Sequence, residues 1–209
     1  MNKMPERART HENLLSDDEI ERVKGACKTR YITLLVWGLL YTGMRISEFI
    51  HMNRGWISWA EGVIRIPERM SCDCKACKRE LTNGKGEITR PSGIWMPKTK
   101  NASRAIPILP EIEGLLRDYF KGHERIMDYI GSRNLAYYHI KQVGKLAGLN
   151  HTLFPHALRG TYATMMAKRK LDPFRLKDLM GWKTLEPAAW YVRFAGTDLR
   201  DEVLKIWKR

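Results

Sequence analysis

The feature that most constrains this chain is the run Tyr31–Tyr41, YITLLVWGLLY, which carries no charged side chain. It falls well short of the roughly 20 apolar residues that span a bilayer. It is apolar all round, so it reads as a helix buried in a protein core, stopping at Thr42-Gly43. A chain of 209 residues is long enough to surround such a helix within one domain, without disulfide staples.

The rest of the pattern supplies the surroundings. Residues 1–13 are polar and read as a flexible lead with no apolar signal region. Ser16 and Glu19 form an S-x-x-E capping box, with Leu15 and Ile20 at the staple positions, before a helix running to about Lys28. A short helix at 45–52 begins at Arg45. The period then changes to two: residues 56–59, a turn at Glu61-Gly62 and residues 63–66 read as a hairpin. Residues 94–96 and 104–108 read as two more short strands. Between the hairpin and these strands lies a Cys-, Lys- and Gly-rich insertion, 71–93. From Pro110 onward the pattern is helical: 111–121, 133–147, 156–170, a helix from Asp172-Pro173 to Gly181, 186–194 and 198–207. Helices, a small antiparallel sheet, then helices again give an α+β class that is mostly α-helical.

Charge narrows the partners. Lys and Arg total 37 against 23 Asp and Glu, a formal +14, and each half of the chain carries half of that surplus. This is a globular body positive throughout, not a neutral body with a basic arm, and it points to a polyanion such as nucleic acid. Three of the four cysteines, Cys72, Cys74 and Cys77, fall within six residues. That C-x-C-x2-C spacing suits a structural zinc better than a disulfide framework, although free thiols in a loop fit it equally. Cys27 is the one further cysteine, and no other fourth ligand stands nearby in sequence. The reading is an intracellular chain, cytoplasmic or nucleoid-associated, with no membrane segment.

Several polar or aromatic residues sit where structure alone has little use for them. Arg45 follows Thr42-Gly43-Met44. His156 and Arg159 are three apart on one helix face. Trp182 follows Gly181, and Tyr191 comes nine residues later. Lys98 lies in a loop between strands, before Arg104. Each alone fits an ordinary solvated or packed residue, so their joint order carries the weight.

That order resembles the catalytic domain of the tyrosine recombinases, the phage integrase family. The matching segments are TGMRISEF at 42–49, PKTKNASRAIPI at 97–108, HALRGTYAT at 156–164, LMGW at 179–182 and WYV at 190–192, with wording closer to archaeal integrases. The resemblance covers about residues 14–195. It implies the DNA breaking-rejoining fold and a site-specific recombinase or integrase that works through a 3′-phosphotyrosyl intermediate, with no ATP and no metal in catalysis. By the same resemblance Tyr191 is the nucleophile, Arg45 and Arg159 clamp the scissile phosphate, and His156 hydrogen-bonds it and assists proton transfer at the tyrosine. Lys98 protonates the leaving 5′-oxygen. Lys100 competes for that role because the loop register is open by two. Glu48 holds Arg45, while Lys100 and Arg104 are assigned to DNA binding. Trp182 stands where many members have histidine. Its indole can donate a hydrogen bond but cannot take a proton, so it has no acid–base role.

The partners implied are double-stranded DNA and, in the synaptic complex, a homotetramer; the tail helix, 198–207 within 196–209, either exchanges between neighbours or docks on its own core, since Leu199, Val203, Leu204 and Trp207 form an apolar stripe. The isolated chain is expected to be a monomer. Members carry an N-terminal core-binding domain, and the expectation is that residues 14–209 are the catalytic domain without it. Two alternatives stay open: type IB topoisomerase-like relaxation of DNA by the same residues, and a catalytically weak DNA-binding fragment or regulator.

Overall fold

The computed structural model describes residues 11–99 and 102–196, with Leu204 and Trp207. Residues 1–10, Lys100, Asn101 and most of the expected tail helix lie outside the described residues. Leu204 and Trp207 are both helical and exposed. Residues 11–13, at the end of the expected flexible lead, form a 3-10 turn.

Helix α1 spans Asp17–Ala26 and starts with the expected capping box: the Ser16 hydroxyl accepts from the Glu19 amide at 3.3 Å, and the Glu19 carboxylate accepts from the Ser16 amide at 2.9 Å. The apolar run is helix α2, Arg30–Thr42, capped by Thr29 and ended by Gly43 in the left-handed conformation (φ 60°). Leu34, Leu35, Val36, Leu39 and Leu40 are all buried. Helix α3, Ile46–His51, follows with Arg45 as its N-cap.

Strands β1 (Ile57–Ser58), β2 (Val63–Ile66) and β7 (Arg104–Pro107) form the central antiparallel sheet in the order β1-β2-β7. Ile57 faces Ile64 and Ile64 faces Ile106, so one face is a continuous apolar layer on the core. The insertion has its own structure. Strand β3 (Met70–Ser71) pairs with β6 (Ile94–Trp95), and β4 (Leu81–Thr82) pairs with β5 (Ile88–Arg90). Thus the strand expected at 94–96 leaves the central sheet. Trp95 instead buries against Trp56, with ring centroids 5.1 Å apart. Local alternation cannot choose between two partner strands; burial of an indole can.

The helical half comprises α4 (Pro110–Gly122), α5 (Met127–Ile130), α6 (Arg133–Leu146), α7 (Pro155–Lys168), α8 (Pro173–Met180) and α9 (Glu186–Phe194). The single turn α5 was not legible, since four residues carry no period. Helix α2 packs on α4, α6 and α7. Helix α7 is buried on every side from Ala157 to Thr164 and separates a large core around α2 from a smaller one holding Leu176, Met180, Ala188 and Tyr191. The candidate site lies where these cores meet.

Gly43 is the tightest point of that junction. Its φ is left-handed, and a Cβ there would drive into the Tyr162 ring. Gly43→Ala therefore adds backbone strain to a clash within a close-packed core. The expected loss is about 2–4 kcal/mol, read as a lower urea midpoint with an unchanged slope.

Candidate active site

The start of α3 supplies the first two groups. Arg45, as N-cap, has extended backbone (φ −68°, ψ 147°). Glu48 is one turn on, 1% exposed, and reaches back to accept from the Arg45 amide at 2.9 Å and from Arg45 Nη1 at 2.7 Å. The carboxylate also accepts from Arg104 Nη2 at 3.1 Å. Burial alone would raise the Glu48 pKa, but Arg104, Arg159 and Arg45 together outweigh it and hold the carboxyl below the usual range. Glu48 is therefore the anionic hub of three guanidiniums.

The second feature is the C-terminal end of α8. The last carbonyls of a helix have no partner within it and carry the negative end of its dipole. Here three successive carbonyls each accept from a different arginine. Leu179 O takes Arg104 Nε at 2.7 Å, Met180 O takes Arg159 Nη2, and Gly181 O takes Arg45 Nη2 at 3.0 Å. Arg159 also donates from Nη1 to the carbonyl of Gly43, so it ties the ends of α2 and α8 together. Sequence reading of LMGW found the turn but not this carbonyl ladder.

Burial, and then the charges of Arg45 and Arg104, lower the pKa of Arg159. Burial likewise lowers that of Arg104, with Glu48 opposing it. Three guanidiniums thus share one carboxylate, and the surplus of positive charge in a largely dry site creates a standing demand for an anion.

Tyr191 lies on α9, 5% exposed. Its ring stacks on Trp182 with centroids 5.5 Å apart and planes 3° from parallel, and Trp190 meets it edge-on at 4.9 Å. Burial pushes its phenol up to about 12, with the charge of Arg159 pulling the other way. The Arg159 guanidinium lies 6.0 Å from the Trp182 ring centre, so arginine, indole and phenol form one stack.

The structure thus joins Arg45, Glu48, Arg159, Trp182 and Tyr191 around the end of α8. His156 is exposed on the first turn of α7, one turn before Arg159. Lys98 is exposed in the loop between β6 and β7, and Lys100 lies outside the described residues. Arg104, assigned above to DNA binding, has a buried side chain. Its side chain is 6% exposed and three of its nitrogens are bonded, to Glu48 and to the carbonyls of Leu179 and Ala102. It braces the cluster instead of presenting charge on the surface.

A second grouping lies at the other end of α3. His51 Nε2 and the sulfurs of Cys72, Cys74 and Cys77 all lie within 4.8 Å of one another. Cys27 is not among them; its thiol donates to Val23 O, four residues back on α1. Among the described residues no helix is long and apolar enough to cross a membrane.

The sequence model of the phage integrase family matches residues 13–196. The chain belongs to that family. Its similarity to the XerA tyrosine recombinase of Saccharolobus solfataricus is 27% identity over 205 residues, covering 97% of this chain and 59% of the relative. For XerA of Pyrococcus furiosus the identity is 24%, covering 95% and 63%. This family member therefore spans about three fifths of the length of those relatives. Its fold is that of a solved XerA recombinase (TM-score 0.64, 18% identity, 92% of this chain and 62% of that one). It is also that of the catalytic domain of bacteriophage HP1 integrase (TM-score 0.57, 20% identity, 91% and 92%). A Tn1549 transposon integrase solved with circular intermediate DNA superposes with TM-score 0.63 at 20% identity, covering 92% and 66%.

Proposed function

We propose that this chain carries the strand-exchange site of a site-specific DNA recombinase, with duplex DNA as substrate and four copies in the assembled complex. The observation that carries the reading is the cationic cluster beside Tyr191: Arg45, Arg104 and Arg159 around the single carboxylate of Glu48. A phosphodiester supplies the missing negative charge. Among the described residues Arg45 donates to Glu48 and to the carbonyl of Gly181, and Arg159 to the carbonyls of Gly43 and Met180; a guanidinium has five N–H groups, so both can also meet nonbridging phosphate oxygens.

In this reading the Tyr191 oxygen attacks the scissile phosphorus and the bond to the 5′-oxygen breaks. The products are a 3′-phosphotyrosyl bond and a 5′-hydroxyl. A phenol with its pKa near 12 is neutral at pH 7, so its proton passes to His156 as the bond forms. Lys98 supplies a proton to the departing oxygen, with Lys100 as the competing donor, and His156 and the Trp182 N–H hydrogen-bond the phosphate. Attack by another strand's 5′-hydroxyl reverses the step and rejoins DNA. The bond energy is kept in the phosphotyrosyl link, so the sequence of steps needs neither ATP nor a catalytic metal. Preformed guanidinium donors of this kind are worth roughly 3–4 kcal/mol each in the transition state.

The test is covalent trapping. The chain is incubated with a pool of nicked duplexes of randomised sequence, in which the cut strand segment diffuses away and stalls the intermediate. A DNA-linked species on a denaturing gel, whose digest places the nucleotide on the peptide containing Tyr191, is the expected result. DNA binding without any adduct, or an adduct on another tyrosine such as Tyr162, overturns the assignment.

A further inference from the structure

His51, the last residue of α3, points its Nε2 at thiols of the insertion: 3.5 Å from Cys77 Sγ and 3.6 Å from Cys74 Sγ. Tetrahedral zinc, with Zn–S of about 2.3 Å and Zn–N of about 2.0–2.1 Å, sets nitrogen–sulfur separations of about 3.6 Å and sulfur–sulfur separations of about 3.8 Å. The two nitrogen–sulfur separations match that geometry, and all four donor atoms lie within 4.8 Å of one another, close enough for a bound ion to draw them onto one tetrahedron. All four cysteines of the chain are free thiols.

The histidine tautomer is set by its other nitrogen. Nδ1 lies 2.7 Å from Ser47 O, and a carbonyl only accepts, so Nδ1 carries the proton and Nε2 turns a lone pair toward the sulfurs. The sulfurs are in turn met by N–H donors of the kind that steady thiolates. The Cys77 amide reaches Cys74 Sγ at 3.3 Å, and Arg90 Nη1 reaches Cys77 Sγ at 3.6 Å. Arg90 Nη2 holds the carbonyls of Ala76 and Arg79 at 2.7 and 2.6 Å, which fixes the turn carrying Cys77.

We propose that His51, Cys72, Cys74 and Cys77 form a structural zinc site that staples the insertion to the C-terminal end of α3. Four protein ligands close the coordination sphere and leave no position for a reacting water. Three thiolates and a neutral imidazole on a divalent cation leave one negative charge, which Arg90 faces. The staple reaches the active site by a short path. Trp95 on β6 stacks on the His51 ring at 5.4 Å, and its Nε1 donates to Ser47 Oγ at 3.4 Å. The loop bearing Lys98 begins directly after β6, while Arg45 and Glu48 sit at the other end of the His51 helix. The metal thus clamps the root of the lysine loop to the arginine helix. That consequence rests on the function proposed above, whereas zinc binding itself does not.

Metal content tests the site independently of DNA cleavage. Untagged full chain, purified under reducing conditions, is expected to hold about one zinc per chain with a dissociation constant below about 1 nM. Cobalt(II) in its place should show tetrahedral ligand-field bands with thiolate charge transfer. The double variant Cys74→Ser/Cys77→Ser should lose the ion, and Cys27→Ser should keep it. His51→Cys should retain it with a spectrum moved to the four-thiolate type, which guards against mistaking misfolding for lost ligation. Chelation of the wild-type chain should speed amide exchange at least about tenfold in residues 70–96 while α2 and α7 stay protected. Zinc-free protein that binds no cobalt, metal retained by the double variant, or exchange in 70–96 unmoved by chelation would each overturn the proposal.

Discussion

Tyr191→Phe is expected to abolish covalent capture of DNA, lowering the adduct yield by at least about 10,000-fold, because phenylalanine has no oxygen with which to attack. The fold should tolerate the change. The phenyl ring keeps its stack on Trp182 and its edge contact with Trp190, so only the hydroxyl's interactions are lost. A stability change of less than about 1.5 kcal/mol is expected from that loss. DNA affinity should stay within a few-fold, since Arg45 and Arg159 are untouched. A gel assay run beside a filter-binding assay separates the two effects. Residual adduct in the variant would move the nucleophile elsewhere.

Glu48→Gln should produce the largest loss of stability. The carboxylate is 1% exposed and is, among the described residues, the only anion shared by Arg45 and Arg104, with Arg159 close by. Removing it leaves three guanidiniums to repel one another in a site from which water is largely excluded. Breaking a buried pair by deleting one partner costs about 3–5 kcal/mol. The pH dependence gives a second readout. In the folded chain the Glu48 pKa lies below its ordinary value, so its contribution is fully present above the unfolded-chain value of about 4.3. It is lost as pH falls through the folded value. Wild-type urea midpoints should therefore drop in that acid range, and the glutamine variant should show a shallower drop. Equal acid slopes in the two proteins would remove Glu48 from its place at the hub.

These two residues divide the work of the site. In the function proposed above, Tyr191 supplies the reacting atom, and the Glu48 hub sets where the charges around it stand. The end of α8 joins them: its three carbonyls hold three arginines while the chain continues through Trp182, which carries the tyrosine ring. A shift of that helix end would move the three arginines and the support of the Tyr191 ring together.

What the sequence by itself determined is local. The uncharged run at 31–41 had to be a buried helix. The Ser16–Glu19 box, Pro110, Asp172-Pro173 and the glycines at 43 and 181 set helix ends through their own backbone chemistry, and the structure places those ends within a few residues. The ordered motifs named the residues around the site and the family. Only the tertiary structure decided how those residues meet. Arg104 reads as a basic residue beside a basic loop, yet it bonds to Glu48 across 56 positions and to Leu179 across 75. Arg159 reaches Gly43 across 116, and Arg45 reaches Gly181 across 136. His51 gave no sign in the sequence of facing cysteines 23 and 26 residues away. Propensity, capping and periodicity act over a few residues. Pairings such as these follow from which polar groups are buried together once the helices pack, because a buried charge or carbonyl must find its partner wherever the chain brings one.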